Sequence, residues 1–115
     1  METPRAPAAR GEPAMKVTLH NGRPGVIEVT GEADLVGAGP LSEAVDHALS
    51  RHPHLVLDLA GVTFADSTFL NTLLRARLLA QEKEGSVHLL APSTAVRHLL
   101  QLTGAEVFFP VLTPE

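Results

Sequence analysis

Residues 55–70 constrain the fold more than any other stretch of this chain. Leu55-Val56-Leu57-Asp58-Leu59 is an apolar run of strand length, and Ala60-Gly61 after it reads as the start of a short loop. The loop delivers Asp66-Ser67-Thr68 to the start of a helical pattern in which Leu70, Leu73, Leu74, Ala76 and Ala80 share one arc, with Phe69 at its edge. A buried strand feeding a long helix through a polar turn is the unit of a layered α/β domain. Ser67 falls where a hydroxyl can cap that helix. A phosphate added there would face backbone N–H groups with no partner inside the helix.

Only 3% of the residues are aromatic, with no Trp or Tyr, so the 44% that are hydrophobic must build an aliphatic interior. At 115 residues the chain is near the lower size for a self-sufficient core. The formal charge of −4 and the scarcity of aromatics argue against nucleic acid as a direct partner. No apolar run is long enough to span a bilayer, so no membrane insertion is expected. Met1-Glu2-Thr3-Pro4-Arg5-Ala6-Pro7 lacks the apolar centre of a signal peptide, which predicts a cytoplasmic protein. The absence of cysteine removes disulfides, thiol catalysis and thiolate metal sites.

Residues 1–13, rich in Pro, Ala, Gly and charge, read as a disordered tail, and 14–115 as one domain. Val17 and Leu19 alternate with polar neighbours, and Val26-Ile27-Glu28-Val29-Thr30 follows a dense turn, predicting an opening hairpin. Gly31 is read as the end of the second strand, with Glu32-Ala33-Asp34-Leu35 as a polar crossing loop. Leu41, Ala44, Val45, Ala48 and Leu49 mark a helix that Pro53 stops. The run 54–59, apolar on both faces, predicts a central strand covered on both sides. The helix from Ser67 runs to about Glu84, with Gly85 as its stop. Ser86-Val87-His88-Leu89-Leu90 is a further strand. Ser93 can cap a third helix whose face holds Val96, Leu99, Leu100 and Thr103, closed by Gly104. Val107-Phe108-Phe109-Pro110-Val111 reads as a last strand at a sheet edge. The predicted order is β-β-α-β-α-β-α-β: an α/β fold with a mixed, largely parallel sheet.

In that order the segments resemble the STAS domain, the fold of bacterial anti-sigma factor antagonists. Gly31-Glu32-Ala33-Asp34-Leu35 is similar to the family's Gly-Glu-Leu-Asp loop. Leu57-Asp58-Leu59-Ala60-Gly61-Val62-Thr63-Phe64-Ala65-Asp66-Ser67 resembles its signature strand and phosphorylation loop. Pro92-Ser93-Thr94-Ala95-Val96-Arg97-His98-Leu99-Leu100, then Leu102-Thr103-Gly104, resembles its third helix and exit. The resemblance implies a STAS-like fold and a regulatory protein that is not an enzyme. Its partners would be an anti-sigma factor that is often also a serine kinase of the histidine-kinase-like ATPase fold, and a metal-dependent serine phosphatase. By position Ser67 is the implied phosphoacceptor, inside a partner surface of Glu32, Asp34, Asp66, Ser67, Thr68, Phe69 and Asn71.

The resemblance departs from the family pattern at Phe69 and Asn71, where glycines are usual. Phe69 has two readings, an aromatic anchor for a partner or a side chain turned into the core. Glu32 and Asp34 read equally as a solvated turn, and Asp66 as a turn residue or a group that positions magnesium or a hydroxyl. Asp58 reads as a hydrogen-bond acceptor that anchors the loop. Leu78 and Leu79 flank the apolar arc, as packing or as a partner contact. The six histidines show no metal-ligand spacing, so no metal or cofactor is expected. No base is positioned to make Ser67 a hydrolytic nucleophile. An alternative to the sigma-factor role is an accessory subunit of a transporter or other complex, bound constitutively without a phospho-switch. Dimerisation through an exposed strand edge stays open.

Overall fold

A computed structural model describes residues 15–33 and 38–114. The tail expected over 1–13 and the site candidate Asp34 lie outside the described residues. The elements run β1 (Lys16–His20), β2 (Gly25–Ala33), α1 (Ala38–Arg51), β3 (His54–Ala65), α2 (Ser67–Glu82), β4 (Ser86–Leu90), α3 (Thr94–Thr103), a 3-10 turn (Ala105–Phe108) and β5 (Val111–Leu112). They build one sheet in the order β1-β2-β3-β4-β5. β1 and β2 form an antiparallel hairpin, and every later pairing is parallel.

The core lies on one face of this sheet. Ile27, Val29, Leu55, Leu57, Leu59, Val87 and Leu89 are all buried there. The stripe Leu41, Val45, Ala48 and Leu49 on α1 and the arc Phe69, Leu70, Leu73, Ala76 and Ala80 on α2 join the same cluster. Each fully buried Leu of this set contributes about 1.5–3 kcal/mol relative to exposure. Arg75 of α2 ties the two helices together, donating to Asp46 Oδ1 at 3.0 Å and to Ser42 Oγ at 2.7 Å.

Several expectations change. β3 is not covered on both faces: Val56, Asp58, Ser86, His88 and Leu90, which alternate with the buried set, are only half-buried. Apolar character on both sides of a short run does not by itself bring a second layer of helices. α2 ends at Glu82, and Glu84 rather than Gly85 takes the left-handed conformation, with φ +60°. Gly85 is required for a different reason. A Cβ there would lie 1.7 Å from the Pro53 carbonyl oxygen, so only a bare backbone can pass.

Ser93 caps α3 by accepting from Val96 N–H at 3.3 Å, and its own N–H donates to the Leu59 carbonyl at 3.2 Å. That bond seats α3 on β3 just past the point where β4 stops pairing with it. Thr103 turns outward instead of joining the buried face. The strand expected over 107–111 is not formed as such: Val107 and Phe108 end a 3-10 turn, and only Val111–Leu112 pair with β4. Gly104, at φ +74°, reverses the chain after α3, and Phe109 rather than a strand side chain then plugs the core.

Candidate functional site

The junction between β3 and α2 is shaped by two irregularities in the pairing of β2 with β3. Glu28 pairs with Asp58 and Thr30 with Gly61, so β3 carries one extra residue over that interval. Gly31 then pairs with Val62 and Glu32 with Phe64, so Thr63 is extra again. Each insertion is a β-bulge that bends the strand and re-aims its side chains. At the first, Asp58 Oδ1 accepts from the Ala60 N–H at 3.2 Å. A Cβ on Gly61 would sit 2.6 Å from Thr30 Cγ2, so glycine allows the strands to close there.

Both strands therefore continue where the sequence predicts loops. β3 runs to Ala65, and β2 runs through Glu32 to Ala33. Glu32 is thus a strand residue, half-buried and paired with Phe64, not part of a polar crossing loop. Asp58 lies within β3 rather than at its end.

Asp66, not Ser67, caps α2. Its backbone is extended (φ −124°, ψ −173°), and its Oδ1 accepts from the Phe69 N–H at 3.1 Å. The Asp66 carbonyl begins the helical ladder by accepting from Leu70 N–H at 3.1 Å. The helix starts one residue earlier than a serine cap would set it, because the Asp66 carboxylate takes the Phe69 N–H and leaves Ser67 inside the first turn. Ser67 becomes the first helical residue, with its side chain exposed. The opening turn of α2 holds no acidic residue.

Around Ser67, Asn71 is exposed and Thr68 is half-buried, its carbonyl accepting from Thr72 Oγ1 at 3.1 Å. Phe69 is only 2% exposed and belongs to the core. The inward reading of Phe69 is the one realised, and in this conformation it offers a partner nothing. Phe64, passed over as a loop residue in the sequence, is 50% exposed beside the site. A break in the two-residue alternation at Gly61 was the available signal for it. Leu78 is exposed, whereas Leu79 packs against the core.

The arrangement offers an accessible hydroxyl at the positive end of a helix. Away from it, His54 Nδ1 lies 2.9 Å from Ser86 Oγ, and the His52 and His54 rings are 5.5 Å apart. Among the described residues no three His, Asp or Glu side chains converge to hold a metal ion. Nor is any described helix long and apolar enough to cross a membrane.

The family described as "Mlab, STAS domain" matches residues 18–113. Among solved structures, the anti-sigma factor antagonist SpoIIAA in its unphosphorylated form superposes with a TM-score of 0.73 at 19% identity, covering 89% of each chain. An anti-sigma factor antagonist from Mycobacterium paratuberculosis gives a TM-score of 0.73 at 29% identity, covering 89% of this chain and 87% of that one. The Bacillus cell fate determinant SpoIIAA in the phosphorylated form gives 0.68 at 18% identity, covering 89% and 92%. No curated protein matches the sequence.

Proposed function

The chain belongs to the STAS domain family, and from that premise we propose that it is an anti-sigma factor antagonist switched by phosphorylation of Ser67. In its unphosphorylated form it binds an anti-sigma factor and so frees a sigma factor. The anti-sigma factor, a serine kinase of the histidine-kinase-like ATPase fold, phosphorylates Ser67, and a serine phosphatase restores it. The observation that carries this reading is the exposed Ser67 hydroxyl at the first position of α2, with the cap already supplied by Asp66. The hydroxyl is therefore not needed to hold the helix start. It is available for modification.

Physical chemistry supports a switch at this atom. A phosphate adds roughly −1.5 to −2 charges at pH 7. At a helix N-terminus the dipole favours that charge by about 0.3–1 kcal/mol, so the free domain tolerates it. Burying the same charge in an interface without a cation costs several kcal/mol. Each 1.4 kcal/mol is about a factor of ten in affinity, so the loss amounts to hundreds-fold or more. The nearby Asp66 carboxylate adds to the repulsion a partner would meet.

The test is to recover the anti-sigma factor that the wild-type chain retains from native lysate, purify it, and titrate it with wild-type, Ser67→Ala and Ser67→Asp protein. The expected result is phosphate on Ser67 alone after addition of ATP, none on Ser67→Ala, and binding weakened about 100-fold in Ser67→Asp. Phosphate on another residue, or binding indifferent to Ser67→Asp, would remove the switch.

A second reading, constitutive attachment to a transporter or other complex, is favoured by apolar side chains exposed on the last turn of α3 and the 3-10 turn: Leu102, Val107 and Phe108. Under it, transporter subunits co-purify and Ser67→Asp changes nothing.

A further inference from the structure

We propose that Phe64 is the aromatic anchor by which the partner grips this surface; the inference rests on the reading of Ser67 as a switch inside an interface with an anti-sigma factor. The phase of β3 decides which way Phe64 faces. After the first bulge Val62 faces the core and is buried, and strict alternation would send Phe64 the same way. The second bulge, with Thr63 as its extra residue, reverses the phase. Phe64 is thereby paired with Glu32, on the half-buried side of β2, while Ala65 is paired with Ala33, which is fully buried.

The consequence is a large apolar ring held half in water by a backbone irregularity, three residues before the switch serine. A sequence selected only for its core would leave out the bulge and bury the ring. Pairing with β2 at Glu32 and Ala33 holds the backbone of Phe64 and Ala65 in register, so part of its ordering cost is met before a partner arrives. Aromatic side chains, Phe among them, are enriched at the centre of interfaces, where a few residues carry most of the binding energy. The anti-sigma factor surface that fits is an apolar recess taking Phe64, with a basic group opposite Glu32 on the β2 side and no cation opposite Ser67. A phosphate on Ser67 would then press on the edge of that recess. Phe64 supplies attraction in one state and Ser67 supplies repulsion in the other.

The experiment titrates the same purified anti-sigma factor with Phe64→Ala, Phe64→Thr, Ser67→Asp and Leu78→Ala full-length chains, and records the melting temperature of each. Leu78 is a fair control, being exposed on α2 about 16 Å along the helix from Ser67. The expected result is binding weakened at least about 30-fold in both Phe64 variants, with melting within a few degrees of wild type and no effect in Leu78→Ala. Threonine suits a strand, so it keeps the test valid if alanine loosens β3. Wild-type affinity in the Phe64 variants, alongside weakened binding in Ser67→Asp, overturns this inference and leaves the switch standing. Equal weakening in Leu78→Ala also overturns it. If the wild-type chain retains no anti-sigma factor, or Ser67→Asp binds as wild type does, the reading beneath it falls and takes it along.

Discussion

Two phenylalanines five positions apart illustrate what a single residue owes to its backbone. Phe69 stands where the resemblance to the STAS pattern leads one to expect glycine, yet it faces the core and packs in the cluster with Leu70 and Leu73. Restoring the glycine should therefore do harm. Phe69→Gly removes a buried ring, worth about 3–5 kcal/mol when truncated, and adds about 1 kcal/mol of helix penalty. Against a total stability of about 5–15 kcal/mol for a domain of this kind, the loss is severe. Urea unfolding should show a large drop in midpoint, with no gain in partner affinity for the folded fraction. Asp66 makes the opposite case, a small and specific contribution. Asp66→Ala should cost about 1 kcal/mol through the lost bond to the Phe69 N–H, and Asp66→Asn should keep most of it. Near-wild-type stability in Asp66→Ala would mean that the carboxylate is not the cap in solution. Ser67 was legible from its neighbours as the opening of the helix, but that Asp66 rather than Ser67 supplies the cap was not. Asp and Ser both cap well, and only the backbone angles decide which one does.

At the scale of elements, period was legible and phase was not. The stripe Leu41, Val45, Ala48 and Leu49 and the arc Leu70, Leu73, Ala76 and Ala80 are buried as their spacing requires. A helix carries its pattern within a few turns, so neighbouring residues suffice to read it. β3 depends on β2 instead, and Ala60-Gly61 resembles a turn until the partner strand is known. Long-range pairing overrides that local signal and carries both strands on to Ala33 and Ala65. The same holds for the end of the chain, where Val107 and Phe108 have strand propensity but the reversal at Gly104 sets a 3-10 turn.

The exit of α2 gives this lesson a test. Gly85 passes the Pro53 carbonyl too closely for any side chain, whereas Glu84 holds the left-handed angle that glycine prefers. Gly85→Ala should destabilise strongly, by about 1–3 kcal/mol or more as backbone shifts to relieve the overlap. Glu84→Gly should be neutral or stabilise by up to about 1 kcal/mol, because it relieves the left-handed strain. Compared by thermal melting, Gly85→Ala should lower the midpoint while Glu84→Gly leaves it unchanged or raises it. If both lower stability alike, the loop does not close against Pro53 as described.

For the whole molecule, the position of Ser67, the proposed phosphoacceptor, relative to the core decides what phosphorylation there can change. The buried cluster lies between the sheet and the helices α1, α2 and α3, and Ser67, exposed, stands where β3 hands over to α2. A charge added there meets solvent and the positive end of a helix, not the aliphatic interior. Its effect on the free domain is then limited to about 1 kcal/mol in either direction, the helix dipole favouring it and Asp66 opposing it. For a domain near 100 residues, 1 kcal/mol moves the melting temperature by roughly 4–8 °C. Binding responds on another scale, because the same charge must be desolvated there. Phosphorylated and unphosphorylated protein should thus melt within about 8 °C of each other while their affinities for the anti-sigma factor differ about 100-fold or more. Differential scanning calorimetry and titration on one preparation measure both. A much larger drop in melting temperature would mean that phosphate acts by unfolding the start of α2, and the loss of binding would then follow from lost structure. Small stability change with large affinity change is what a rigid surface switch requires, since the partner must read the charge itself.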